Sequence, residues 1–301
     1  TTTIGFFSNR FSKAEILNTY LTTMTETQLN NAGYYFNNEI VSKNTTNKSR
    51  YYYNVSISTG GPNVSATVIA QSNRTDIKMM DFRNATSITR FGNAFLKDAT
   101  NLETLYLPPN VTILPSEFCR DCTSLTTIDV SQITRITYRA FQSCTSLTST
   151  PDLSNVTEIG TAAYMHSGIS GNVDLSNVQK VDNEGFRNTS ISGTIDLSSH
   201  TGTNRIHNSA FRDTDISGVI LPSSTVTYID EFAFSNCTSL TEIIIPYTIN
   251  NLTKAAFAGC TNLSKIILRS GITLQSFDTT SCFHGISSSP TIIRHDGNVY
   301  N

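Results

Sequence analysis

Ala233-Phe234-Ser235-Asn236-Cys237-Thr238-Ser239-Leu240-Thr241-Glu242-Ile243-Ile244-Ile245-Pro246 decides the fold. An aromatic follows a small residue, a second small residue comes three positions later, then Leu, then an apolar strand closed by Pro. Residues 255–268 repeat the pattern. Aligned on the aromatic, the chain gives Phe95, Phe118, Phe141, Tyr164, Phe186, Phe211, Phe234 and Phe257, at intervals of 23, 23, 23, 22, 25, 23 and 23 residues. Fixed self-similarity of this length signals stacked repeats.

Other columns travel with the aromatic. Before it stand Phe91, Ile113, Ile136, Ile159, Val181, Ile206, Ile229 and Leu252. After it come Ala99, Cys122, Cys144, Ser167, Thr189, Thr214, Cys237 and Cys260, then Leu102, Leu125, Leu147, Ile169, Ile191, Ile216, Leu240 and Leu263. One such unit cannot bury its own apolar face, but stacked copies turn each column into a continuous core ladder. Leu102, Leu105 and Leu107 outline a short strand that pairs in parallel with its neighbours, and the Ala-Phe segment forms the return path.

The phrase 233–246 resembles the BspA-like, Treponema-type leucine-rich repeat, and the resemblance covers residues 77–275. It implies a β-rich, right-handed curved solenoid of about 23-residue repeats, in proteins displayed on bacterial or protist surfaces that bind host or matrix proteins. Residues 169–175 and 191–197 depart from it, with an inserted Gly and no Cys.

The ends lie outside the repeat. Over residues 1–76, a Ser12/Glu15 capping box opens a helix expected over 13–31, followed by strand-like runs at 34–41, 51–58 and 65–70. This reads as a small α+β unit, either a cap for the first repeat or an attachment and assembly module. Residues 276–301 read as a C-terminal cap.

Composition narrows the function. Charged residues make up 15% of the chain, with a net charge of −2, so no basic footprint for nucleic acid is present. No apolar run reaches the roughly 20 residues that cross a bilayer. Residues Thr1 to Phe7 lack the charged and apolar regions of a secretory signal. The five histidines, His166, His200, His207, His284 and His295, form no metal pair or nucleophile motif, and no phosphate loop occurs. Cys119 and Cys122 have CxxC spacing, but Cys122 already belongs to the repeat column, so these thiols read as small buried side chains. Asn54-Val55-Ser56 and Asn110-Val111-Thr112 match the glycosylation triplet, as a chain this rich in Asn, Ser and Thr does by composition. No enzymatic activity is expected.

The middle residue of each Leu-x-Leu strand points away from the core, onto the concave sheet face. Read down the solenoid it is Tyr106, Asp129, Asp152, Asp174, Asp196, Ile220, Ile244 and Ile267. Stacked strands lie about 4.8 Å apart, and two carboxylates at about 5 Å repel by roughly 0.8 kcal/mol in water. The aspartates are therefore a solvated row, or a site for a divalent cation or a basic partner segment. The isoleucines are an interface, or are covered by the C-terminal segment. The expected protein is a non-enzymatic, secreted or surface-displayed adhesion solenoid that holds a protein or host-surface ligand on this face. A virion or fibre component is the rival.

Overall fold

The computed structural model describes residues 56–57, 63–65, 79–81, 83, 89–269, 282–287, 290–294 and 299–300. The helix expected over 13–31 and the strand-like run at 34–41 lie outside these residues. The described chain is a parallel β-solenoid of about 8 turns with nearly no helix.

Most turns contribute two strands. The first comes from the Leu-x-Leu segment, as in Thr104–Tyr106, Ser190–Asp196, Glu242–Ile245 and Lys265–Leu268. The second is a two-residue strand ahead of the return path, such as Arg135–Ile136, Glu158–Ile159 and Lys180–Val181. Strands of each kind pair in parallel with the next turn. At the N-terminal end, Asn63–Ser65 lies parallel to Arg90–Phe91 and antiparallel to Ser56–Ile57.

The return path is tight. Two residues per turn, four apart, take positive φ, as in Glu117/Asp121, Arg139/Ser143, Ala162/His166 and Phe232/Asn236. Asp, Asn and Gly suit the second position because they tolerate the left-handed region. Both positions donate their N–H to a carbonyl of the following turn, as Glu117 to Tyr138 O and Asp121 to Gln142 O, or Arg139 to Thr161 O and Ser143 to Met165 O.

The aromatic ladder does not run as the 23-residue period suggests. The Leu96 N–H donates to Phe118 O, Cys119 N–H to Ala140 O, and Phe141 N–H to Ala163 O. In backbone terms Leu96, Cys119, Phe141 and Tyr164 are therefore equivalent. Phe95 and Phe118 occupy the column that Ala140, Ala163 and Ala210 fill elsewhere. The rings form two stacks: Phe91, Phe95 and Phe118, and then an unbroken series from Phe141 through Tyr164, Phe186, Phe211, Phe234 and Phe257 to Phe283, with centroids 5.3–5.8 Å apart. The same one-residue slip corrects the apolar column: Leu114, not Ile113, pairs with Ile136 and is buried, while Ile113 is exposed.

Two features explain the composition. Thr hydroxyls bond to carbonyls of the preceding turn, as Thr123 to Thr100, Thr137 to Leu114, Thr157 to Thr134 and Thr253 to Ile229. Each of these carbonyls also accepts a main-chain N–H from the following turn, so the hydroxyl adds a second bond between turns at the carbonyl's other lone pair. The cysteines are buried free thiols. Those of Cys122, Cys144, Cys237 and Cys260 donate to main-chain oxygens of the previous turn at 3.0–3.2 Å. Burial raises the thiol pKa of Cys119, Cys144 and Cys237 well above the usual range, so the CxxC pair lies in the core as small apolar matter.

Among the Gly-containing strands, Ser190–Asp196 and Asp215–Ile220 are long, whereas Ser170–Asn172 is short. Gly171 and Gly193 take φ of +82° and +77°, and the pairing register shifts between Gly193 and Thr194. Positive-φ Gly in a strand marks a bulge. Elsewhere the Leu-x-Leu sheet breaks around Pro151, which has no N–H to give to a ladder.

One polar residue stands in an apolar column. Ile133, Val156, Val178 and His200 each donate the same turn hydrogen bond, to Val130, Leu153, Leu175 and Leu197. His200 is buried, its Nδ1 makes no hydrogen bond within the chain, and its Nε2 lies 3.3 Å from Arg205 O. Burial drives its pKa down to about 4. The unfolded chain takes this proton near 6.5 and the folded chain only near 4. The associated stability is therefore complete above pH 6.5 and lost as pH falls through 4, about 3 kcal/mol in all. Chemical denaturation from pH 7 to 4 should show this decline, and His200→Val should flatten it. An equal slope in the variant would remove His200 as the cause.

Candidate functional site

The two sheet faces differ in charge bookkeeping. On the two-residue strands, Arg135 pairs with Glu158 at 2.7 Å, Lys180 lies 3.9 Å from Glu158 and 3.0 Å from Asp182, and Arg205 pairs with Asp230 at 3.2 Å. His207 Nδ1 lies 3.7 Å from Asp182. That face neutralises itself.

The Leu-x-Leu face does not. Asp129, Asp152 and Asp174 are exposed and Asp196 is partly exposed. Among the described residues none of the four makes an ion pair. Asp129 and Asp174 follow the strands Thr127–Ile128 and Ser170–Asn172, Asp152 lies in a turn that contributes no Leu-x-Leu strand, and in each of the four a carboxylate oxygen accepts a bond in its own turn. Asp129 accepts from Ser131 N at 2.9 Å, Asp152 from Ser154 N at 3.0 Å, Asp174 from Ser176 N at 2.9 Å and Asp196 from Ser198 N at 2.8 Å. These bonds hold the Asp152 and Asp174 carboxyls below the ordinary carboxylate range. The Asx turn thus gives the aspartates a conformational task that spacing alone did not reveal. The following amides lock successive turns together: Gln132 donates to Pro108 O, Asn155 to Ser131 O and Asn177 to Ser154 O. Among the described residues no group of three or more His, Cys, Asp or Glu side chains converges in the way a metal ion requires.

Ile220 lies opposite Asp196 and is 49% exposed. Ile244 and Ile267 are adjacent in register and partly exposed. The row continues further than the sequence columns indicated. Thr291–Arg294 pairs in parallel with Lys265–Leu268 and sets Ile293 beside Ile267, and Val299–Tyr300 closes that edge antiparallel. The described C-terminal strand extends the isoleucine row along the sheet. Its signal was present in Thr291-Ile292-Ile293-Arg294, which alternates like residues 265–268. Cys282-Phe283 in place of Ala-Phe, after a longer interval, concealed it.

Tyr106 lies at the other end, opposite Asp81 in register, with the Arg83 guanidinium 4.0 Å above its ring. Arg83, Tyr106, Leu107, Pro109, Asp129 and Gln132 line a shallow depression there. The outward row thus runs from an arginine-capped ring, through four carboxylates, to four isoleucines.

A parallel solenoid with one Leu-x-x-Leu-x-Leu strand per turn and an aromatic return path is a leucine-rich-repeat protein. The sequence profile of the BspA type leucine rich repeat region matches residues 67–192 and 204–295 in 6 copies, and the chain belongs to that family. Solved structures similar to it include a leucine rich cell surface protein from Faecalibacterium prausnitzii A2-165, at 16% identity and a TM-score of 0.36, covering 82% of this chain and 92% of that one. A leucine-rich repeat protein from Eubacterium ventriosum matches at 14% identity and a TM-score of 0.42, covering 71% and 67%. The pneumococcal vaccine antigen PcpA matches at 16% identity and a TM-score of 0.39, covering 75% and 65%. No curated protein sequence matches. Among the described residues no helix is long and apolar enough to cross a membrane.

Proposed function

We propose that this chain is a non-enzymatic, protein-binding adhesion solenoid of a microbial cell surface, and that it takes its partner on the Leu-x-Leu face. The observation that carries the reading is the exposed Ile220 and the partly exposed Ile244, Ile267 and Ile293, the last three adjacent in register, beside carboxylates that make no ion pair among the described residues. Contiguous exposed apolar surface of this kind marks an interaction site. The family supports the location, since its members are commonly displayed at microbial surfaces. The histidines support a non-catalytic role: His166 is exposed against Asn188, His200 is buried in an apolar column, and His207 sits beside Asp182.

The test uses the full chain against immobilised serum and extracellular-matrix proteins and intact epithelial cells. Saturable binding should weaken about a hundred-fold in Ile244→Asp, because a buried Ile contributes roughly 1.5–3 kcal/mol. It should weaken only about five-fold or less in Asp174→Asn, with an effect that shrinks at high salt. Saturable binding that survives both Ile244→Asp and Ile267→Asp would mean the partner sits elsewhere. The absence of binding across the whole panel would count against adhesion.

A further inference from the structure

Resting on that reading of the Leu-x-Leu face, we infer that its partner is a bipartite polypeptide segment, apolar at one end and basic at the other, laid across the strands along the solenoid. Three observations fix this chemistry. First, the outward row is segregated rather than mixed: Asp129, Asp152, Asp174 and Asp196 are followed by Ile220, Ile244, Ile267 and Ile293. Second, the carboxylates lack counter-charges among the described residues, whereas Glu242 and Lys265, two positions upstream of the isoleucines on the same face, already pair at 3.0 Å. Beyond that pair, Asp215, exposed at the start of the strand Asp215–Ile220, is a further carboxylate of this sheet with no ion pair among the described residues. Each of the four carboxylates in the row accepts from an amide of its own turn and keeps its charge at the surface, where a cation can reach it. Third, the two blocks follow one another once along the row, with Asp196 opposite Ile220 at their junction, so a bipartite segment fits the row in one direction only.

The dimensions set the length of the occupant. At about 4.8 Å per strand each four-residue block spans about 14 Å, and the whole row about 34 Å. That is about 10 residues of extended chain or about 22 of helix. Apolar contact carries the affinity, and the charge complement sets orientation and approach rate.

The experiment pans a random 24-residue displayed peptide library on the full chain, then measures selected peptides by fluorescence anisotropy. Expected sequences carry an apolar block and a Lys/Arg block in a constant order. Their binding should fall about a hundred-fold in Ile220→Asp or Ile244→Asp. It should fall about ten-fold in the triple variant Asp152→Asn/Asp174→Asn/Asp196→Asn. Asn keeps an acceptor for each turn hydrogen bond, so this variant retains the turn, and its melting curve confirms folding. Raising salt should weaken wild-type binding towards that of the triple variant. Selected peptides without a basic block, or with unchanged affinity for the triple variant, overturn the bipartite partner and leave the face as the binding surface. Peptides indifferent to the isoleucine changes overturn both. A dimer in light scattering that Ile244→Asp dissociates also overturns this inference, because the row would then be covered by a second copy.

Discussion

Phe234→Ala should lower the free energy of unfolding by about 3–5 kcal/mol, the usual cost of emptying a buried Phe site. The ring is fully buried between two others, 5.5 Å from Phe211 and 5.3 Å from Phe257, with interplanar angles of 5° and 10°. Stacking adds about 0.5–1.5 kcal/mol to each pair beyond area burial. The solenoid cannot collapse around the cavity, because each turn is pinned to its neighbours by main-chain bonds such as Phe234 N–H to Ala256 O and Phe211 N–H to Ala233 O. Repeat proteins couple only nearest neighbours. The loss should therefore also split the urea transition, with the turns before Phe234 outlasting those after it. Circular dichroism together with limited proteolysis would resolve the two phases. A loss below 1 kcal/mol would show that the ring column does not hold the stack together.

Gly168→Ala should cost about 2–3 kcal/mol, as overpacking into rigid surroundings does. A Cβ at residue 168 would run into the Thr145 carbonyl oxygen and lie 3.0 Å from its carbon. Both are main-chain atoms, and Gly168 N–H donates to Cys144 O at 3.0 Å beside them. Relief requires moving one turn of the solenoid away from the next, against the Phe141 to Tyr164 contact at 5.3 Å. Gly171→Ala is the informative control. There a Cβ meets only the Thr150 hydroxyl at 3.0 Å, the end of a movable side chain, and the penalty arises from positive φ instead. Equilibrium denaturation of both variants tests the ranking. If Gly168→Ala is as stable as the parent, the inter-turn distance at Thr145 is not a constraint.

The repeat period, most residues of the core columns and the alternation that turns one row outward were legible in the linear chain. Each follows from a local rule: apolar residues recur once per turn, and strand side chains alternate between faces. The register between turns was not legible. Phe118 and Phe141 are 23 residues apart, as equivalent positions would be, yet they occupy neighbouring columns, because the chain shortens by one residue between Cys119 and Phe141. Only the carbonyl that each N–H meets decides this. The same slip put Ile113 in solvent and Leu114 in the core.

The aspartates show a second limit. Their spacing displayed a row of charge, but their turn-forming bonds to Ser131, Ser154, Ser176 and Ser198 depend on where each strand stops. That depends in turn on the pairing of the neighbouring strands. His200 looked like one of five scattered histidines until the backbone placed it with Ile133, Val156 and Val178. Ile293 joined the isoleucine row only when its strand paired with the last full repeat. In a solenoid the amino-acid pattern determines what each turn buries. Tertiary packing decides which residues become neighbours, because hydrogen bonds and ring contacts between turns join positions some twenty-three residues apart.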